Sequence, residues 1–460
     1  MAGERQILKR LRRLALALAL AWAAPAMAQI GLPGLPGGLP GNLPGGLPGN
    51  LGDVPRRGIP DTSLPSVTRP VRQLAGTAGD LAGAPLTEVR RLTAERLLRD
   101  HRDVVEADDR GQPVVRGEVL AVGLRRETLE RLRQAGFTAR SQSRLDGLPI
   151  EATVLSLPRG QSAVEAIRRL RALDPAGQYD FNHIYLEAGV AAEVAGEARR
   201  AGAAADGRGL RIGLVDGSVA QSAPALSRTR LVQRAFAPGG ARTSVHATAV
   251  ASLIAGSAGP FRSPASGATL YVADVYGPTP TGGSAEAVAR ALAWLAQSDT
   301  AVVNISLVGP PNLLLGAAVK ALQARGSQVV AAVGNDGPAA PPLYPAAYPG
   351  VVAVTGVDAG RRVLAEAGRG THVDFAAPGA DMAAAGAGGG YISVRGTSFA
   401  APIVAGRLAV LRAHASPAEA LEALAREAVD LGAPGADPVY GHGLVGADFR
   451  TDPAAVRASR

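Results

Sequence analysis

No cysteine occurs in the 460 residues, so disulfides, thiol catalysis and cysteine-ligated zinc are excluded; export is not, since many exported bacterial proteins lack disulfides. Aromatic residues make up 4% and no Lys or Arg run is interleaved with them, so nucleic acid is not an expected partner. Lysine is almost absent and arginine carries the positive charge, a compositional bias more than a functional signal. About two thirds of the net charge of +9 lies before residue 188. Beyond the N-terminal run, no segment is long and apolar enough to span a bilayer without Gly, Pro or charge. No integral membrane segment is therefore expected once that run is removed.

What is present begins with residues 1–28. Lys9, Arg10, Arg12 and Arg13 form a basic region, Leu14 to Ala24 an apolar stretch, and Ala26-Met27-Ala28 a small-residue cleavage site. This is the pattern of a signal peptide and implies an exported protein, periplasmic or extracellular. Residues 29–83 repeat Leu-Pro-Gly with irregular glycine spacing, which breaks the collagen triplet and reads as a disordered linker. Within residues 84–110, Leu86 to Val105 carries a helical period (Val89, Leu92, Leu97, Leu98) with many charges, and a helix is expected to run to Val105.

Residues 111–187 alternate compactly. Val114–Val122 reads as a strand, Glu127–Ala135 as an amphipathic helix, and Thr138–Leu145 with Ile150–Leu157 as a hairpin about Asp146-Gly147. Ser162 and Glu165 form a capping box opening a helix, and Tyr179–Leu186 is a last strand. The order β-α-β-β-α-β predicts a small α+β, ferredoxin-like domain. Residues 188–206 read as a linker. Residues 207–450 change texture to short buried strands (210–215, 269–275, 301–307, 328–333, 351–357, 372–375) between Ala-rich helices (245–254, 285–296, 313–324, 399–412, 417–429). That pattern predicts an α/β fold: a parallel sheet with helices on both faces and functional groups at the carboxyl ends of the strands. Residues 451–460 are a tail.

Three stretches of this last region carry candidate chemistry. Asp216 ends a strand before Gly217, a position open to a turn residue as well as a catalytic carboxylate. His246 lies on the first turns of a helix, and Ser398 precedes a long apolar run, where an ordinary helix cap is the alternative to a nucleophile. The whole run Gly396-Thr397-Ser398-Phe399-Ala400-Ala401-Pro402 resembles the nucleophile motif of the subtilisin-like serine proteases, the subtilases. The chain order Asp216, His246, Ser398, with the first two thirty positions apart, is similar to that family's triad. The resemblance covers about residues 207–446 and implies a serine endopeptidase acting on polypeptides. Ser398 would be the nucleophile, His246 the general base and then acid, and Asp216 the group that orients the imidazole. Ala331-Ala332-Val333-Gly334-Asn335 resembles the oxyanion segment, so Asn335 carries over as donor beside the Ser398 N–H.

The resemblance also assigns substrate-binding residues. Ser306, Leu307 and Val308 resemble the edge with which substrate backbone pairs. Leu343, before Tyr344-Pro345, stands at the expected floor of the primary pocket, with Ala331 and Ala332 on one wall, so small apolar residues should precede the cut bond. A cis bond at Tyr344–Pro345 is implied too. The small domain is similar in pattern and position to a subtilase propeptide, which would make it an intramolecular inhibitor of a precursor, its last strand lying on the 306–308 edge and its tail reaching Ser398. No cofactor is implied; family members often bind calcium, but no loop of EF-hand type is present and no ligands are named. The chain departs from the family at Gly217-Ser218, where Ser or Thr and then Gly are usual, and at Ala247 and Val308, where Gly is usual. A methyl at residue 247 could tilt the imidazole. Two rivals follow: another serine hydrolase such as an esterase, and a pseudoprotease retained as a binding scaffold.

Overall fold

The computed structural model describes residues 86–194 and 207–456; the signal-peptide and Leu-Pro-Gly assignments lie outside them. The described part opens with helix α1 (Leu86–Asp100) and a short strand β1 (Val105–Ala107). The expected helix thus stops five residues early. Val105 is buried beside Val115 and Ile184, and pairing with Val115 extends the backbone there. Tertiary burial overrides the helical period at this point.

The small sheet follows the expected order: β2 (Pro113–Val122), α2 (Arg126–Gln134), β3 (Thr138–Arg144), β4 (Glu151–Ser156), α3 (Ala163–Leu173) and β5 (Gln178–His183). β2 is central, paired antiparallel with β4 on one side and β5 on the other, and β3 is the outer strand beyond β4. The capping box is formed: Ser162 Oγ accepts from the Glu165 N–H and the Glu165 carboxylate accepts from the Ser162 N–H. One face of the sheet closes on its own two helices around Phe137, Leu155, Ile167 and Leu170. The other face, with Leu120, Ile150 and Val154, packs into the core of the larger region.

After β6 (Leu186–Glu187) and β7 (Val190–Val194) come β8 (Arg211–Asp216), β9 (Arg230–Ala235), α4 (Val245–Ala255), β10 (Thr269–Asp274) and α5 (Ala285–Gln297). They are followed by β11 (Val302–Ile305), β12 (Leu307–Val308), α6 (Leu313–Ala324), β13 (Gln328–Ala332), β14 (Val352–Val357) and β15 (Phe375–Pro378). The chain closes with β16 (Met382–Ala385), β17 (Tyr391–Arg395), α7 (Thr397–Arg412) and α8 (Pro417–Glu427). Seven strands form one parallel sheet in the order β15-β14-β13-β11-β8-β10-β9. Period-two alternation feeds two core layers. Val302, Val330 and Ala332 join α4 and α7 on one face, and Val303, Val329 and Ala331 join α5 and α6 on the other.

Two strand expectations change. β15 starts at Phe375, not His372, because the Val373 N–H turns back to Gly370 and the Asp374 carboxylate accepts the Ala353 N–H. β9 carries two arginines and is half-exposed at the sheet edge, so it lacked the apolar run that marks the inner strands. Helices α4 and α7 are buried almost all round. Both point their first turns at the carboxyl ends of the strands, where the site lies.

Candidate active site

Asp216 is the last residue of β8, His246 the second of α4 and Ser398 the second of α7. Folding brings the three buried side chains into one line. His246 Nδ1 is 2.9 Å from Asp216 Oδ2, and its Nε2 is 3.0 Å from Ser398 Oγ. The Ala247 methyl is fully buried and leaves these distances at hydrogen-bond length, so the tilt considered above does not arise. Ser218 has a role of its own: its Oγ donates to Asp274 Oδ2 at 2.7 Å. Asp274, paired with Asp216 across adjacent strands, also accepts N–H bonds from Arg242, Tyr276 and Gly277. One buried carboxylate thus ties the loop that follows Asp216 to the loop that precedes His246. Sequence reasoning missed it, because the position reads only as a strand end.

Burial alone would lower the His246 pKa. The carboxylates of Asp216 and Glu187 outweigh it and lift it to about 9. Glu187 is exposed as a residue, yet its carboxylate lies within 4.8 Å of ligand atoms of His246 and Asp216, and Ser244 Oγ donates to it at 3.3 Å. Burial is the main cause that raises the Glu187 carboxyl above its usual range; His246 opposes it and Asp216 adds to it. Glu187, Asp216 and His246 form the one cluster of metal-ligand type found among the described residues, with ligand atoms within 4.8 Å of one another. The His246–Asp216 hydrogen bond and the Glu187–Ser244 contact account for its side chains.

The chain's own residues 184–194 run through the site. Tyr185 N donates to Gly283 O at 2.8 Å, and Leu186 and Glu187 pair antiparallel with Val308 and Leu307. Ala188 N donates to Ser306 O at 3.3 Å. The Ala188 carbonyl oxygen then accepts two hydrogen bonds, from the Ser398 N–H at 3.1 Å and from Asn335 Nδ2 at 2.6 Å. Asn335 is held for this by Thr397, whose N–H donates to Asn335 Oδ1 at 3.1 Å. Beyond Gly189, β7 pairs antiparallel with β17. The expected linker therefore begins with a bound segment rather than a free one. Its last described residue is Val194, and residues 195–206 lie outside the description.

Backbone closeness explains three glycines. Gly396 has φ +136°, and a Cβ there would lie 2.8 Å from Gly189 Cα and 3.0 Å from Ala188 O. A Cβ on Gly189 would lie 2.3 Å from Ser398 Oγ, and one on Gly309 2.7 Å from the Tyr185 ring. Tyr185 is fully buried, and its hydroxyl donates to Pro310 O at 2.7 Å.

The pocket residues divide. Leu343 is buried, its Cδ1 2.5 Å from where a Cβ on Gly334 would stand, and the Tyr344–Pro345 bond is cis. Ala331 and Ala332 do not share one wall, contrary to expectation. As neighbours on β13 they point to opposite faces and join opposite core layers. Val333, one residue on, borders the crevice beside Leu343 instead. Sequence reasoning also missed Ala188 and Gly189. They have no reactive side chain, and their proximity to Ser398 comes from backbone pairing.

Comparison with known proteins agrees with this geometry. The profile of the subtilase family, Peptidase S8, matches residues 207–443. Subtilisin Savinase of Lederbergia lenta is 35% identical over 188 residues, covering 40% of this chain and 68% of that protein. Alkaline protease of Alkalihalobacillus alcalophilus is 35% identical over 188 residues, again 40% of this chain; the match spans about half, 48%, of the relative's length. The solved structure of fervidolysin from Fervidobacterium pennivorans, described as a keratinolytic enzyme related to subtilisin, superposes with a TM-score of 0.61 at 21% identity. That superposition covers 75% of this chain and 61% of fervidolysin, and it supports the fold.

Proposed function

The chain belongs to the subtilase family of serine endopeptidases, and on that premise we propose that it is an exported protease made as a self-inhibited precursor, whose first substrate is its own Ala188–Gly189 bond. The observation that carries this reading is the Ala188 carbonyl oxygen, held by the Ser398 N–H and Asn335 Nδ2 beside the serine hydroxyl. These are the donors that a tetrahedral oxyanion needs. Ser398 Oγ attacks the Ala188 carbonyl carbon as its proton passes to His246 Nε2. Asp216 stabilises the imidazolium. Collapse of the intermediate breaks the bond to Gly189 N, which takes the proton from His246. Water then releases Ala188 from Ser398, with His246 again as base. Export is supported by the signal-peptide pattern of residues 1–28.

Substrates are polypeptides that imitate residues 185–189. Leu343 fills the floor against Gly334, so Ala or another small apolar residue is favoured before the cut. The buried place of Tyr185 favours a large aromatic three residues earlier. Opening the floor by Leu343→Gly is expected to relieve about 1–3 kcal/mol of overpacking against Phe or Tyr before the cut bond. Peptide-library cleavage that is already efficient after Phe, and unchanged in the variant, would remove the filled-floor reading.

The decisive test pairs a fluorophosphonate label with N-terminal sequencing. The natural chain is expected to yield a fragment starting at Gly189 and to label on Ser398 once that serine is uncovered. A chain freed of residues 1–188 that stays unlabelled would instead be a pseudoprotease.

A further inference from the structure

Helix α1 lies upstream of the small sheet, yet it reaches the catalytic loop. We propose that α1 is a second inhibitory element, a latch laid over the bound segment, whose Arg90 grips Asp336 beside the oxyanion donor Asn335. The inference rests on the reading of the small domain as inhibitor, and adds to it a contact outside the segment that enters the site.

Both ends of the helix are engaged. Arg90 Nε and Nη2 lie 2.7 Å and 2.6 Å from Asp336 Oδ2. The guanidinium is steadied on its far side, where Nη1 donates to Gln112 Oε1 at 3.0 Å. Gln112 is itself fixed by its N–H to Asp108 Oδ1 at 2.7 Å, so the grip is anchored in the turn between β1 and β2. Thr87 lies against Gly337, the residue after Asp336. At the other end, Leu97 and Leu98 pack into the cluster of Val105, Val115 and Ile184, which Leu186 of the bound segment also joins. Between the two ends, Leu86 and Val89 line a cavity of about 20 Å³ together with Ala188, Gly189 and Asn335.

The chemistry separates Arg90 from its neighbours. Arg91 pairs with Glu88 and Glu95 within the helix, with about half of each side chain exposed, whereas Arg90 and Asp336 are each 17% exposed. A pair so screened from water, and joining segments far apart in sequence, resists opening more than exposed pairs do. Cutting Ala188–Gly189 does not touch it. The latch therefore keeps the cut segment seated, and full activity waits for α1 to lift from Asp336.

The test uses the full chain carrying Ser398→Ala, which has no nucleophile to cut itself. Amide exchange of residues 186–194 reports whether the segment stays seated. Arg90→Ala is expected to raise that exchange about tenfold, while the strands 211–216 and 302–305 stay protected. Val89→Ser, which disturbs the cavity lining without touching the ion pair, is expected to give a smaller rise. Unchanged exchange at 186–194 in both variants, with those strands protected, overturns the latch. In the chain that retains Ser398, Arg90→Ala is expected to cut at the same bond and reach the same final activity sooner. A natural chain that never cuts itself would count against the catalytic reading, while the exchange result would still decide the latch.

Discussion

The two sheets differ in what covers them. Each face of the parallel sheet is closed by helices of its own region, with α4 and α7 on one side and α5 and α6 on the other. The antiparallel sheet closes only one face on its own helices; the other borrows α5 and α6. The borrowed contact is polar at its margins. Asp180 Oδ2 accepts from the Leu313 N–H at the start of α6, and Asn182 Oδ1 from the Glu286 N–H at the start of α5. Free N–H groups at helix starts are thus met by a neighbouring strand. The larger region has the interior of a self-sufficient unit, and the smaller one is built to dock. On the proposed reading, that asymmetry suits a part to be discarded.

The largest expected effect severs the chemistry and keeps both regions. Ser398→Ala should reduce turnover by about six orders of magnitude, the scale for loss of a triad nucleophile. The full chain should stay folded and uncut at Ala188–Gly189. Mass analysis showing normal maturation of the pure variant, with no other protease present, would refute self-processing. Next, Asn335→Ala should cost about 3 kcal/mol of transition-state stabilisation, seen mostly in kcat. An unchanged kcat would leave Asn335 as a structural residue only.

A smaller effect tests how the bound segment speaks to the triad. Protonated His246 cannot accept the serine proton, and its pKa is lifted to about 9 while Glu187 and Asp216 face it. Self-cutting should therefore rise with pH through that value. Glu187→Gln removes one of the two carboxylates, so the midpoint should fall by on the order of one pH unit and cutting near neutrality should quicken. A pH profile of processing that does not move would show that Glu187 does not tune His246. The smallest effect is at the docked face. Asn182→Ala deletes the acceptor for the Glu286 N–H and the donor to Glu118, and should weaken docking by about 1 kcal/mol. Thermal unfolding followed separately for the two regions, in the Ser398→Ala background, should show the small region released first. Coincident, unshifted transitions would contradict the asymmetry.

Much of this molecule was legible in its sequence because the signals are local. Strand and helix periods, the Ser162–Glu165 capping box and the Asp216, His246 and Ser398 motifs each depend on a few neighbouring residues. Long-range contacts had no such mark. The ion pair of Arg90 and Asp336 spans 246 positions, and Asp274 gathers donors from loops that only the fold brings together. The opposite facing of Ala331 and Ala332 follows from the pleat of β13 once its two covering layers are known. Above all, the sequence named the serine but not the bond set before it. Ala188 and Gly189 carry no chemical side chain, and their place is decided by backbone pairing of residues 186–187 with 307–308 and by two donors on one carbonyl oxygen. That is a matter of tertiary register, to which a reading of side chains is blind.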